Sequence, residues 1–168
     1  MNILKTYFIL LTCMGLVHCT AMIRTWHYSG TPVQTPQLDV KITAAHITQK
    51  TAHVRFELKN TTGEELTITT NQLTLTLDDD KTTVPGKTAM ALRALSGVQK
   101  QFFGKEDPKL PPGQTMEIQV AFRLANRDLR RHPSMTIALD GIIVNGSGLA
   151  NQHITIKAPP DAPIGEDI

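Results

Sequence analysis

A chain of 168 residues, 40% of them hydrophobic, has room for one ordinary domain and can bury one core, which excludes disorder of the whole chain. Its net charge is +2, and with Lys5 inside a leader the 17 basic residues fall to 16 against 15 acidic ones. That balance excludes a general nucleic-acid binder, which needs a large basic excess to displace counterions from phosphates.

The N-terminus supplies an address. Met1 to Lys5 is a basic start, Tyr7 to Val17 an apolar run, and His18-Cys19-Thr20-Ala21 a border that ends in small residues. This is the pattern of a secretory signal over residues 1–21, a helix too short for an ordinary membrane span. Two processing sites fit. Leu16-Val17-His18-Cys19 resembles the bacterial lipobox, in which the cysteine is lipidated and becomes the first mature residue; His18 stands where that motif has Gly, Ala or Ser. Cys19-Thr20-Ala21 suits ordinary signal peptidase, with cleavage before Met22. Cys13 and Cys19 are the only cysteines, so the folded domain is predicted to stand without a disulfide. Asn60-Thr-Thr and Asn145-Gly-Ser match the glycosylation tripeptide, a pattern that chance supplies often.

Residues 22–37 have no period and carry two prolines and a glycine, so they read as a tether. From Leu38 a period of two begins: Val40, Ile42 and Ala44 fall on one face, and Val54, Phe56 and Leu58 on one face of the next segment. Pairing Val40 with Leu58, Ile42 with Phe56 and Ala44 with Val54 also sets Asp39 against Lys59 and Lys41 against Glu57, so pattern and charge select one register. The turn is Thr48-Gln49-Lys50, without the glycine that such loops favour. Asn60 to Glu64 is turn chemistry, and the apolar set then changes parity between Leu66, Ile68 and Leu73, Leu75, Leu77. A bulge or a change of sheet between Thr69 and Gln72 is expected there.

Asp78 to Lys81 is a polar turn. Leu92, Leu95, Val98 and Phe102 recur at helical spacing, which predicts a short helix or irregular crossover in 87–104. Leu110-Pro-Pro-Gly113 forces a turn before the cleanest strand, Met116 to Leu124. Met135, Ile137 and Leu139 run into Asp140-Gly141, a hairpin signal, followed by Ile142 to Val144 and by Ile154 and Ile156. The tail, 158–168, reads as disordered. Seven or eight short strands over 38–157 predict an all-β domain, an immunoglobulin-like β-sandwich.

The stretches HVRFELKNTTGEELTI and LPPGQTMEIQVAFRL resemble small immunoglobulin-like domains of bacterial exported proteins and lipoproteins. The resemblance implies a sandwich, an envelope address and an adhesion or scaffold role, and brings no catalytic residues.

Candidate chemistry is sparse. His46 and His53 lie on adjacent strands, yet in the register above they diverge, and no metal is expected. Asp78, Asp79 and Asp80 lack the glycine and distal glutamate of a helical calcium loop. None of Ser29, Ser96, Ser134 and Ser147 sits in a nucleophile motif. The cluster worth holding is Arg127, Arg130, Arg131 and His132, with Arg123 nearby, in one loop expected to be solvated. Arginine forks suit phosphate or carboxylate partners. Trp26, His27 and Tyr28 suit either a lipid interface or packing on the domain.

The expected function is that of a non-enzymatic cell-envelope protein, a membrane-anchored scaffold or protein-binding module whose partner is another envelope protein. Lipidation of Cys19 implies the outer membrane; cleavage before Met22 implies a soluble periplasmic or secreted form. The alternative is an envelope hydrolase or carbohydrate-active enzyme using dispersed carboxylates. No cofactor is expected.

Overall fold

Period-two alternation is realised as strands throughout a computed structural model that describes residues 26–93, 99–102 and 107–161. Residues 1–25, where a signal helix and Cys19 processing are expected, and residues 162–168 of the tail lie outside the described residues. Three two-residue strands come first: β1 (Trp26–His27), β2 (Ser29–Gly30) and β3 (Val33–Gln34). The longer strands β4 (Leu38–Ile47), β5 (Thr51–Asn60), β6 (Leu66–Thr70), β7 (Thr74–Leu77) and β8 (Thr83–Arg93) follow. Next are β9 (Gln99–Phe102), β10 (Lys109–Leu110), β11 (Thr115–Arg123) and β12 (Ser134–Ala138). β13 (Ile142–Val144), β14 (Ser147–Gly148) and β15 (His153–Lys157) complete the set. All pairings among them are antiparallel.

The protein is therefore all-β. Most strands run in one sheet, in the order β1-β4-β5-β11-β8-β7-β12-β15-β2, with β3 on β4 and β9 on β8. Its two ends meet in one short segment: β1 and β3 pair with β4, and β2 between them pairs with β15. The sheet is a nearly closed barrel, where the alternation predicts two facing sheets of a sandwich. A second sheet, β10-β6-β13-β14, sends Leu66, Ile68, Leu110, Ile142 and Val144 into the same core as Phe56, Phe122 and Ile118.

Closure overturns the reading of residues 22–37 as a tether, since 26–34 is the strap that seals the barrel. Tyr28 is 4% exposed, and its N–H donates to the Ala45 carbonyl at 2.9 Å. Gly30 sits where the strap crosses from β4 to β15. A Cβ there would lie 2.8 Å from Ile42 Cδ1 and 3.0 Å from Ile154 Cγ2, so only glycine lets the backbone pass between these side chains.

The β4–β5 register agrees with the sequence as far as Ile42↔Phe56 and then shifts by one at a bulge between Ile42 and Ala44. Beyond it Ala45 meets Val54, and Ala45 and Ile47 turn into the core in place of Ala44 and His46. The turn lacks glycine because Thr48 closes it: its N–H donates to the Thr51 carbonyl at 2.9 Å, and its Oγ1 accepts from Thr51 N–H at 3.1 Å.

Three other expectations meet the structure differently. The parity change at 69–72 is a change of sheet, β6 lying in the small sheet and β7 in the large one. Residues 86–93 and 99–102 are strand, the first paired along its length with β11, so ladder bonding outweighs the helical spacing there; 94–98 and 103–104 of the expected helix or crossover lie outside the described residues. Asp140-Gly141 turns the chain without making a hairpin, because β12 pairs with β7 and β15 while β13 pairs with β6 and β14. Here the Gly141 carbonyl accepts from Asn71 N–H at 2.7 Å, so the two points where the chain changes sheet are stitched together.

Asn60, fully buried, joins the sheets: its amide donates to the carbonyls of Glu64 at 2.7 Å and Leu110 at 2.9 Å. An amide so placed is no glycan acceptor.

Two substitutions test this packing. Phe56→Ala, at the centre of the core, is expected to cost about 3–5 kcal/mol, read as a lowered urea midpoint. A Cβ on Gly86 would lie 2.5 Å from Val120 Cγ1 and 2.7 Å from Phe122 Cε1, so Gly86→Ala is expected to cost about 1–3 kcal/mol by overpacking. Unchanged midpoints for both would contradict the β8–β11 pairing.

Candidate functional site

The arginine loop is built by its own acids. After β11 the chain makes a 3-10 turn, Leu129–Arg131, whose N-cap Asp128 accepts from Arg130 N–H at 3.0 Å. The Arg130 guanidinium grips the same carboxylate in a fork, Nε to Oδ1 at 2.8 Å and Nη2 to Oδ2 at 2.6 Å. These hydrogen bonds hold Asp128 below the usual carboxylate range, and Asp128 in turn raises Arg130. Arg127 pairs with Asp80, Arg131 Nε lies 4.0 Å from Asp128 Oδ2, and His132 Nδ1 lies 2.8 Å from Asp79 Oδ2. The Asp78–Lys81 turn and the loop thus neutralise one another. Structure brings Arg127, Arg130, Arg131 and His132 together, but as a half-buried latch and not as the solvated loop their sequence suggests.

Tyr28 closes that latch. Its hydroxyl donates to the His132 carbonyl at 2.7 Å, and burial, with Asp128 nearby, pushes its pKa up to about 12. Trp26 is partly buried against the core, so it and Tyr28 pack on the barrel, while His27 between them is exposed.

A different set of cations remains on the outer face of the barrel. The bulge in β4 turns His46 outward, opposite His53, and β1 places His27 opposite His46. The three histidines therefore share one row across adjacent strands, and the rings of His27 and His46 meet edge to face at 4.7 Å between centroids. Their expected divergence is corrected by that one-residue shift. The row continues through Ala121 on β11 to Lys87 on β8. One row along, Arg55 stands between Ala44 and Gln119; on the other side Arg123 pairs with Thr51, beside Lys50 in the turn.

Two contiguous depressions follow from this arrangement. The first, of about 210 Å³, is lined by Ala44, His46, His53, Arg55, Lys87 and Ala121 among others; the second adds Lys50 and Arg123. Neither contains a carboxylate, and among the described residues Lys50, Arg55, Lys87 and Arg123 make no ion pair. His46 is held below its ordinary value by burial first, then by His27, Arg55 and His53. Such a face attracts anions. Among the described residues no group of three metal-ligating side chains converges on a point that would hold a metal ion.

Sequence reasoning missed this face because it is assembled from five strands. The outward positions of His53, Arg55 and Arg123 were legible from alternation; their neighbours were not.

No protein-family model matches the chain, and no curated protein matches it.

The latch gives an alkaline signature. Because Tyr28 ionises near 12 when folded and near 10 when unfolded, its neutral form adds stability that is complete below pH 10 and lost as pH rises through about 12. Tyr28→Phe is expected to cost about 1 kcal/mol at neutral pH, from the lost hydrogen bond. It is also expected to remove this part of the alkaline loss, as read from urea midpoints at pH 8 and pH 11.

Proposed function

We propose that the protein is a non-enzymatic module of the cell envelope, held at the membrane by lipid on Cys19, which binds an acidic surface of another envelope protein through its basic sheet face. The observation that carries this reading is the unneutralised face itself. Four permanent cations line adjoining depressions without a carboxylate, whereas the loop arginines are held by Asp80 and Asp128. Charges left free on a rigid sheet serve electrostatic complementarity with a partner. The immunoglobulin-like resemblance supports the same role, since such exported domains adhere and scaffold.

The strap shortens the spacer. From Cys19 to Trp26 the chain reaches at most about 25 Å, at about 3.3–3.6 Å per residue, so the barrel is kept close to the bilayer and the basic face begins beside the anchor at His27. Thr20 lacks the aspartate that retains many lipoproteins at the inner membrane, which points to the outer membrane. Cleavage before Met22 would instead give a soluble periplasmic or secreted form.

The alternative, an enzyme with dispersed carboxylates, finds among the described residues the facing pair Glu57 and Glu117, opposite one another on β5 and β11. Glu57 is bound by Lys41 at 2.7 Å, and Glu117 is 2% exposed with an interaction of its own. Both are thus already engaged, one in an ion pair and the other by burial, which favours the binding reading.

Two measurements test the reading. Wild-type protein is expected to partition with membranes and incorporate labelled fatty acid, and Cys19→Ser to do neither; a wild-type mature N-terminus at Met22 would exclude the anchor. Mild cross-linking in envelopes is expected to capture a partner that Arg55→Glu with Lys87→Glu loses. Capture undiminished by that double change would place the interface elsewhere.

A further inference from the structure

We propose that the histidine row makes the basic face a proton-gated site for acidic protein segments, weak when the row is neutral and strong when it is charged. The inference rests on the reading of this face as a binding surface and adds its ligand chemistry and its control.

Geometry sets the ligand class. Strands in a sheet lie about 4.8 Å apart, so His53 and Lys87, on either side of Ala121, stand about 10 Å apart with only a methyl group between them. Arg55 borders the same hollow from the next row, across from Ala44. A volume of about 210 Å³ falls below the roughly 300–1,000 Å³ of pockets that enclose whole small molecules. It accepts one carboxylate at a time from an extended acidic chain, while Lys50 and Arg123 in the adjoining hollow await the next. The surroundings decide against a cation, for the histidines have arginine and lysine as neighbours and no carboxylate to offset a metal's charge.

The gate follows from what faces the row. β1 presents His27, β4 His46, β5 His53 and Arg55, β11 Arg123, β8 Lys87, and the β4–β5 turn Lys50. The nearest carboxylates on these strands, Glu57 and Glu117, lie one row beyond Arg55 and Gln119, and Glu57 is already bound by Lys41. In the free protein this crowding resists protonation; His46 is held below its ordinary value by burial first, and by His27, Arg55 and His53 after it. A bound acidic segment reverses the sign of the neighbouring charge and stabilises the protonated rings. Binding therefore takes up protons, and by linkage affinity rises as pH falls through the histidine range. One unit of pKa rise, distributed over the row, corresponds to about tenfold in affinity.

The test uses the mature protein and a fluorescent eight-residue aspartate peptide, whose carboxylates stay charged at both working pH values because their ordinary pKa is about 3.9. Anisotropy titrations at low salt are expected to show affinity about tenfold higher at pH 5.5 than at pH 7.5. His27→Gln, His46→Gln and His53→Gln together are expected to abolish the difference and keep the pH 7.5 affinity. All three side chains are exposed, so the variant retains the fold, and an unchanged urea midpoint verifies it. Equal wild-type affinity at the two pH values would overturn the gate while leaving the basic face as a binding surface. A pH dependence that survives the triple change would overturn the row's role. Binding at neither pH would overturn both the gate and the reading it rests on.

Discussion

Closure of the barrel is the constraint on which the rest depends. A sheet that curls until its edges approach must either meet edge to edge or be sealed by a third segment, because open edges leave a row of unpaired N–H and C=O groups. Here a nine-residue strap, 26–34, pairs with β4 at both ends and with β15 in its middle. Two local devices make the crossing possible. Gly30 removes the side chain that would strike Ile42 and Ile154, and the bulge after Ile42 bends β4 beside it.

The same bulge determines the surface chemistry. One extra residue moves every later side chain of β4 to the opposite face, so Ala45 and Ile47 enter the core and His46 leaves it. Only then do His27, His46 and His53 fall into one row. Fold closure and the histidine row are two results of a single inserted position. Two groups of cations are used differently. In the latch, arginines lie against aspartates and hold a loop; around the depressions, Lys50, Arg55, Lys87 and Arg123 have small or cationic neighbours and face outward unmatched. A near-neutral protein thus carries a locally basic face.

How much of this was legible depends on the range of the interaction. Alternation and charge gave the all-β class, the first half of the β4–β5 register and a parity break after Thr69 that left a bulge or a change of sheet open, because each is written within one or two neighbouring segments. The bulge was legible too: the apolar set moves from even positions, Leu38, Val40 and Ile42, to odd ones, Ala45 and Ile47, the same parity signal that marks 69–72. Other features were not. Strand 86–93 owes its form to β11, some thirty positions away in the chain, and the strap owes its form to β4 and β15 together. Tyr28 gives no local sign that its hydroxyl will reach the carbonyl of His132, 104 positions later. The arginine loop misled because two of its aspartate partners, Asp79 and Asp80, come from a different turn.

The strap also governs when the fold can be completed. Its pairing with β15 and its bond to His132 join the first described strands to the last, so the closing contacts span almost the whole domain. Bringing ends together across a loop costs entropy that grows with its length, and topologies dominated by such contacts fold slowly. A chain emerging N-terminus first holds residues 26–34 and their first partner, β4, long before β15 exists. Until residue 157 is free, β4 has no neighbour along its outer edge but the strap, and the seam stays open. Completion of the barrel thus waits on β15, the last of the described strands, and cannot run ahead of it.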